Sequence, residues 1–333
     1  MAAKVGPTGT SGAVRRVYTR RHVRGRAPRF SARALRRLAL GAVAVGIALP
    51  PFRRRLRVPR PLTAAVVIAA PFGMAIAVPR SRRRDVAVYT LQMWAFIVIH
   101  ELPYDEPEAL ERRVRVDYPI ACDQLLGLGE LPTLRLQRVL RRPGRPTALD
   151  HVLVWVHWLW FLEPHATAAW ILWRHPARFP RAATLISALF HLGAIVYFTV
   201  PTAPPWWAAD QDRLQDGGRI MVDVGKEVWG DFWLPLYDFL GGNPVAAMPS
   251  LHFSSAVMAA HVLSELGSKE GTIGWAYAAT LGFALVYLGE HYLIDLIAGL
   301  ALAETVRLLA PAAAPPLLQA SRVVAALEKR ARS

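Results

Sequence analysis

Three side chains late in the chain have the types and spacing of nucleophilic and acid–base chemistry. His291 and Asp295, in His291-Tyr292-Leu293-Ile294-Asp295, stand four residues apart. On a helix that spacing sets the carboxylate beside the imidazole, one turn on. A carboxylate that accepts one ring N–H fixes the tautomer, orients the ring and stabilises its imidazolium form. The other ring nitrogen keeps a lone pair, as a nitrogen nucleophile or a base requires. His252 follows Pro249-Ser250-Leu251 at the start of an apolar run. Proline is favoured in a first helical turn, and the unpaired amides there, with the positive end of the helix dipole, favour an anion. Gly241 and Gly242, just upstream, permit close backbone approach. The stretch therefore offers an anion seat, a hydroxyl donor and a second imidazole. A tetrahedral phosphate ester is its natural occupant. The spacing leaves open which histidine attacks and which moves protons. His252, His291 and Asp295 also have the chemistry of three zinc ligands, but no His-x-x-x-His pair accompanies them and zinc leaves the anion seat unused. No metal and no cofactor is expected.

The elements that must position these residues are helices in a membrane. The chain has 333 residues, 53% hydrophobic and 19% charged. Its apolar residues are bunched into runs near the length that spans a hydrocarbon core, and its 11 tryptophans suit the lipid–water boundary. Candidate spans are 86–102, 151–173, 182–200, 246–266, 272–290 and 292–310. In lipid the backbone satisfies itself as helix, so no strand is needed. The expected fold class is all-α: a polytopic membrane protein with a six-helix transmembrane core and one or two additional N-terminal apolar segments. Residues 1–37 read as a disordered basic tail, 38–84 as N-terminal apolar or interfacial segments, 85–310 as the membrane domain and 311–333 as a cytoplasmic tail. Between the N-terminal runs lies Arg53-Arg54-Arg55-Leu56-Arg57, and after them Arg80-Ser81-Arg82-Arg83-Arg84. If both clusters stay in the cytoplasm, one of the runs is re-entrant or interfacial.

The net charge of +16 raises nucleic acid as a partner. Its positives lie in the N-terminal tail and beside apolar runs, which reads instead as orientation and attraction to anionic headgroups. The expected partner is the bilayer, not nucleic acid. Cys122 is the one cysteine, which excludes an intrachain disulfide and a cysteine-rich metal site. Basic 173–181, short 267–271 and the C-terminal arginines alternate onto one side with the N-terminal tail and Arg80–Arg84. That side is expected to be cytoplasmic. The acidic loop 201–244 then lies outside, and both His252 and His291 reach the outside face. Arg213, Arg219 and Lys226 are that loop's cations. The run Leu131–Arg142 is amphipathic and suits either the membrane surface or the top of the helical core. His157 falls two turns into the second span and could face the site. Glu163 and His165, nearer the middle, need partners, and Glu163 with a histidine is the expected pair. His261 is placed as a packing or relay residue.

Pro249-Ser250-Leu251-His252 followed by Gly289-Glu290-His291-Tyr292-Leu293-Ile294-Asp295 resembles the second and third signature motifs of the type 2 phosphatidic-acid phosphatase superfamily. Leucine within the second motif, and the His-Tyr-x-x-Asp pattern, resemble the inositol-phosphorylceramide-synthase branch. Asn243-Pro244-x-Ala246-Ala247-Met248 and Pro201-Thr202-Ala203-Pro204-Pro205 are similar to bacterial members of that branch. The likeness covers about 85–310. It implies a multi-pass cell-membrane enzyme, with an extracytoplasmic active site, acting on a lipid phosphate. In the family's roles His291 attacks phosphorus and forms a phosphohistidine, Asp295 holds it, and His252 protonates the leaving oxygen and then activates the acceptor. Ser250, with Gly242 and Asn243, would contact the substrate. Water as acceptor makes a phosphatase; an alcohol makes a headgroup transferase. The non-enzymatic alternatives are a transporter of anionic solutes and an inactive family member. Two departures stand out. Ala284 and Leu285 occupy the positions of the family's Ser-Arg, and Trp206-Trp207 stands where a cation is expected. The charge of the phosphate still needs a clamp, for which Arg213, Arg219 and Lys226 are the candidates.

Overall fold

The computed structural model describes residues 31–142, 145–214, 219–236 and 243–333. Gly241, Gly242 and the first thirty residues of the expected basic tail lie outside that set. The described residues form fourteen α-helices and two short 3-10 turns, with two isolated bridges, Arg115 to Thr202 and Thr202 to Ala246. Helix begins at Ala32, inside the stretch read as tail, because the Ser31 hydroxyl accepts the Ala34 amide and so caps a first turn.

The N-terminal runs are α1 (Ala32–Phe52) and α2 (Arg60–Ala77), packed together as a hairpin and followed by α3 (Arg82–Glu101). Four helical stretches are long and apolar enough to cross a membrane: Ala32–Phe52, Arg60–Ala77, Arg82–Asp105 and Phe179–Thr199. The first two are therefore both of spanning length. Where the arginine clusters lie decides whether one of them must be re-entrant or interfacial. Arg53 and Arg54 pair with Asp105, just past the end of α3, at 3.1 and 2.7 Å, and Arg60 pairs with Glu106. Arg84, at the start of α3, pairs with Glu328 at 3.2 Å. The two clusters thus lie at opposite ends of the bundle, and Asp105 pairs with two arginines of the first.

The segment after α3 folds into α4 (Pro107–Glu111), α5 (Asp117–Leu126) and α6 (Pro132–Leu140). α6 sits on the protein core: Leu136 and Leu140 pack on the cluster around Leu153 and Tyr287, and Gln137 donates to the Tyr287 carbonyl at 2.8 Å. The expected span 151–173 is two helices, α7 (Ala148–Leu159) and α8 (Glu163–Arg174). Pro164 stands in the first turn of α8, where a missing N–H costs nothing. The break places Trp160 and Phe161 in a turn between them. α9 (Phe179–Thr199) is the most buried of the spanning-length helices. After it come α10 (Pro205–Asp210) and α11 (Ile220–Trp229). The last three helices are α12 (Leu251–Ser264), α13 (Ser268–Tyr287) and α14 (Leu293–Arg332). α12 has 14 residues, shorter than the run 246–266 expected to span, and α14 continues through Pro311, Pro315 and Pro316 to Arg332. The largest core cluster joins α9, α12, α13 and α14, with Ile186, Leu189, Val257, Met258, Leu281 and Leu285 fully buried. The start of α12 and the start of α14 rest on the end of that core.

Candidate active site

The turn that carries His291 closes α13. Gly289, at φ 82°, occupies the left-handed position, while the Glu290 amide reaches back to the Leu285 carbonyl at 3.1 Å and the Gly289 amide to that of Val286 at 3.3 Å. This pair of bonds is a Schellman stop, which glycine favours at that position. It leaves only Leu288 to Tyr292 between two helices. α14 then starts with its orphan amides satisfied. The Asp295 carboxylate accepts the Tyr292 amide at 2.9 Å. Asp123, from α5, accepts Leu293 and Ile294 at 2.9 and 2.8 Å, one amide on each oxygen. Asp123 is fully buried. Burial pushes its carboxyl up to about 6 although both amide bonds pull it down.

The start of α12 is pinned from three sides. Ser250 donates its amide to the Asp295 carbonyl at 2.9 Å. Tyr197 of α9 donates to the Pro249 carbonyl at 2.6 Å and accepts the Leu251 amide at 3.2 Å. A Cβ on Gly299 would stand 2.6 Å from the Ser250 carbonyl oxygen, so glycine there lets α14 lie against this turn. The Leu251 side chain, where the resemblance expects glycine, fills the space over Gly193. Pro249 lies before the helix rather than in its first turn. Ser250 is the N-cap, its hydroxyl accepting the Phe253 amide at 3.2 Å. The Leu251 and Phe253 amides, expected as part of an anion seat, thus have protein partners.

These locks bring the sequence's three chemical residues into one chain of contacts. His291 Nδ1 lies 3.3 Å from Asp295 Oδ2, and His291 Nε2 lies 3.1 Å from His252 Nδ1. Asp295 is fully buried and His291 nearly so. An ionised Asp295 places the His291 proton on Nδ1. Nε2 is then the acceptor, and the proton between the rings belongs to His252. The donor atoms face one another in series, whereas three metal ligands would converge on one point. Trp160 covers His252 with ring centroids 4.0 Å apart and donates to Ser255 at 2.7 Å. His157 stacks on His252 at 4.9 Å.

Of the three candidate cations, Arg219 is brought to this cluster. Its guanidinium lies 3.7 Å over the Trp206 ring, and its Nε lies 3.6 Å from Glu290, the neighbour of His291. Trp206, standing where a cation was sought, is the platform for one. Arg213 pairs with Asp117, and Lys226 is exposed on α11. Asn243 accepts the Val245 amide at 3.0 Å and the Tyr104 hydroxyl at 2.9 Å, shaping the approach to Pro249. Glu163 and His165 do not pair: Glu163 accepts Thr167 at 3.2 Å, and His165 meets Tyr89 at 3.1 Å. His261 meets Glu304 at 2.5 Å, far along α12 from His252. Asp123 and Tyr197 are the functional positions the sequence reading missed. Asp123 lies 170 residues from the amide it holds, and no local pattern announces it.

The chain is also similar in sequence to known proteins. Over 161 residues, 45% of the chain, the sequence is 26% identical to the inositol phosphorylceramide synthase catalytic subunit aur1 of Schizosaccharomyces pombe. The match spans 36% of that protein's length. No solved structure matches the chain. Residues 120–309 match the family model of the PAP2 superfamily, a stretch that holds Asp123, His157, Arg219, Ser250, His252, His291 and Asp295. The chain belongs to the PAP2 superfamily, whose members are typically phosphatases or phosphotransferases.

Proposed function

We propose that this membrane protein transfers the phosphoryl group of a lipid phosphate through a phosphohistidine on His291, at the extracytoplasmic face. The observation that carries the reading is the series Asp295, His291, His252, joined at 3.3 and 3.1 Å. A phosphorus atom attacked by His291 Nε2 from roughly 3 Å, its leaving oxygen in hydrogen-bond reach of His252, requires the two nitrogens roughly 7 Å apart. The imidazoles open to admit it. The Nε2 lone pair forms the N–P bond as the P–O bond breaks. His252, carried as imidazolium against the phosphate charge, gives its Nδ1 proton to the leaving oxygen and becomes neutral. In the second half it takes a proton from the acceptor, whose oxygen attacks phosphorus and releases His291. Asp295 holds the His291 ring and balances its charge in both steps. Arg219 clamps the phosphoryl oxygens, and Ser250 and Asn243 line the approach; Gly242, the other expected substrate contact, lies outside the described residues. The bundle that holds the site is a six-helix membrane core with the α1–α2 hairpin beside it.

Similarity to the inositol phosphorylceramide synthase subunit, together with Leu251 in the second motif, favours a second reading of the acceptor. It is an alcohol, and the enzyme transfers a headgroup. Purified protein incubated with phosphatidic acid, with and without inositol and phosphatidylinositol with ceramide, separates the two. Free phosphate marks water as acceptor; an inositol phosphomonoester formed from phosphatidic acid, or a new ceramide phosphodiester formed from phosphatidylinositol, marks an alcohol. Turnover that is equal in His291→Ala, or absent with every lipid phosphate, contradicts the enzyme reading.

A further inference from the structure

His157 is buried at 2% exposure, and neither of its ring nitrogens has a hydrogen-bond partner. Buried polar atoms are nearly always paired, so an exception asks for a reason. Its surroundings supply one. The ring stacks on His252 with centroids 4.9 Å apart and planes 29° apart, and it lies close enough to feel the charges of His291 and Arg219. It therefore stands against His252, within electrostatic range of His291 and Arg219, on α7.

The site is also short of donors. A transferring phosphoryl group presents three non-bridging oxygens that carry its charge. The positions that hold Ser-Arg in the resemblance are Ala284 and Leu285, both fully buried in the apolar core. The Leu251 and Phe253 amides at the start of α12 are engaged by Tyr197 and Ser250. Arg219 supplies cationic donors from one side.

We propose that His157 is a third histidine of the site, donating a ring N–H to a non-bridging oxygen of the bound phosphoryl group beside Arg219. The proposal rests on the phosphoryl-transfer reading, and its ligand is a tetrahedral or trigonal-bipyramidal oxyanion. No proton is transferred: the imidazole binds, and His252 moves the protons.

Two substitutions separate donation from stacking. His157→Phe keeps a ring against His252 and loses the N–H; His157→Gln loses the ring and keeps an N–H donor. Orthovanadate and inorganic phosphate are the probes, titrated into full-length protein in detergent by calorimetry, with turnover of phosphatidic acid measured alongside. His157→Phe is expected to weaken vanadate binding at least about tenfold and to lower kcat/KM about a hundredfold, and His157→Gln to stay within about fivefold on both. Vanadate binding by His157→Phe equal to wild type overturns the proposal. So does binding by His157→Gln as weak as by His157→Phe while its thermal unfolding matches wild type, and so does a wild-type protein that binds neither anion. Vanadate binding that depends on the residue 157 N–H, in a protein that turns over no lipid phosphate, would support His157 as an anion ligand and contradict the transfer reading alone.

Discussion

Asp123→Ala is the substitution that most directly probes how the fold positions the chemistry. It removes a carboxylate that accepts Leu293 and Ile294 at 2.9 and 2.8 Å. A helix cap is worth roughly 0.5–2 kcal/mol, and an unmet donor costs roughly 1–3 kcal/mol. With two amides released, the loss is about 2–4 kcal/mol. The same turn carries Asp295, whose contact with His291 is already long at 3.3 Å. A displacement on the order of 1 Å there is expected to lower turnover about a hundredfold. Asp123→Asn keeps an acceptor oxygen and should fall between wild type and Asp123→Ala in both respects. Burial raises the Asp123 carboxyl to about 6 in the folded chain. A raised folded pKa means that stabilisation from this group is complete below the unfolded value and is lost as pH rises through about 6. Wild type should therefore gain stability between about pH 7 and pH 5 by an amount that Asp123→Ala lacks. Thermal unfolding in detergent at both pH values, with turnover at neutral pH, measures all three effects. An Asp123→Ala protein with wild-type unfolding and wild-type turnover would refute the reasoning.

Arg219→Ala is expected to lower kcat/KM at least about a hundredfold, on the order of losing one transition-state donor. Arg213→Ala and Lys226→Ala, which lie on an ion pair with Asp117 and on an exposed helix face, should stay within about twofold in the same assay. Gly299→Ala places a methyl 2.6 Å from the Ser250 carbonyl oxygen. Its strain, about 1–3 kcal/mol, should lower both the unfolding temperature and turnover. Single cysteines in a Cys122→Ser background at Arg55 and Asp212 should label from outside intact cells with a membrane-impermeant thiol reagent, and one at Lys269 should not. Arg55 labelling from the opposite side to Asp212 would contradict the hairpin of α1 and α2.

The chemistry was legible where it is local, and the scaffold was legible only in outline. His291 and Asp295 interact through helical spacing, which a sequence displays directly. Loop charges sufficed to bring His252 to the same end of the bundle, and the structure joins it to His291 at 3.1 Å. The span 151–173 misled because its apolarity is continuous while Pro164 starts a new helix inside it. Pro249 was read into a first turn, yet Ser250 takes the N-cap because its hydroxyl reaches the Phe253 amide. The Arg53–Arg57 cluster resisted reading because its counter-charge, Asp105, lies about fifty residues on. Asp123 and the Arg219–Trp206 stack are long-range pairings of residues whose types are ordinary for loops and surface helices, so only the folded chain connects them.

In the proposed reaction His291 Nε2 becomes bonded to phosphorus. Rapid quench of the enzyme with phosphatidic acid labelled in its phosphate, followed by proteolysis and mass spectrometry under alkaline conditions that preserve phosphohistidine, tests it. The predicted result is an acid-labile phosphoryl group on His291, absent in His291→Ala and both slower to form and slower to discharge in His252→Ala, which lacks the acid of the first half and the base of the second. Phosphate on another side chain, or steady turnover with no labelled protein at any quench time, would contradict it.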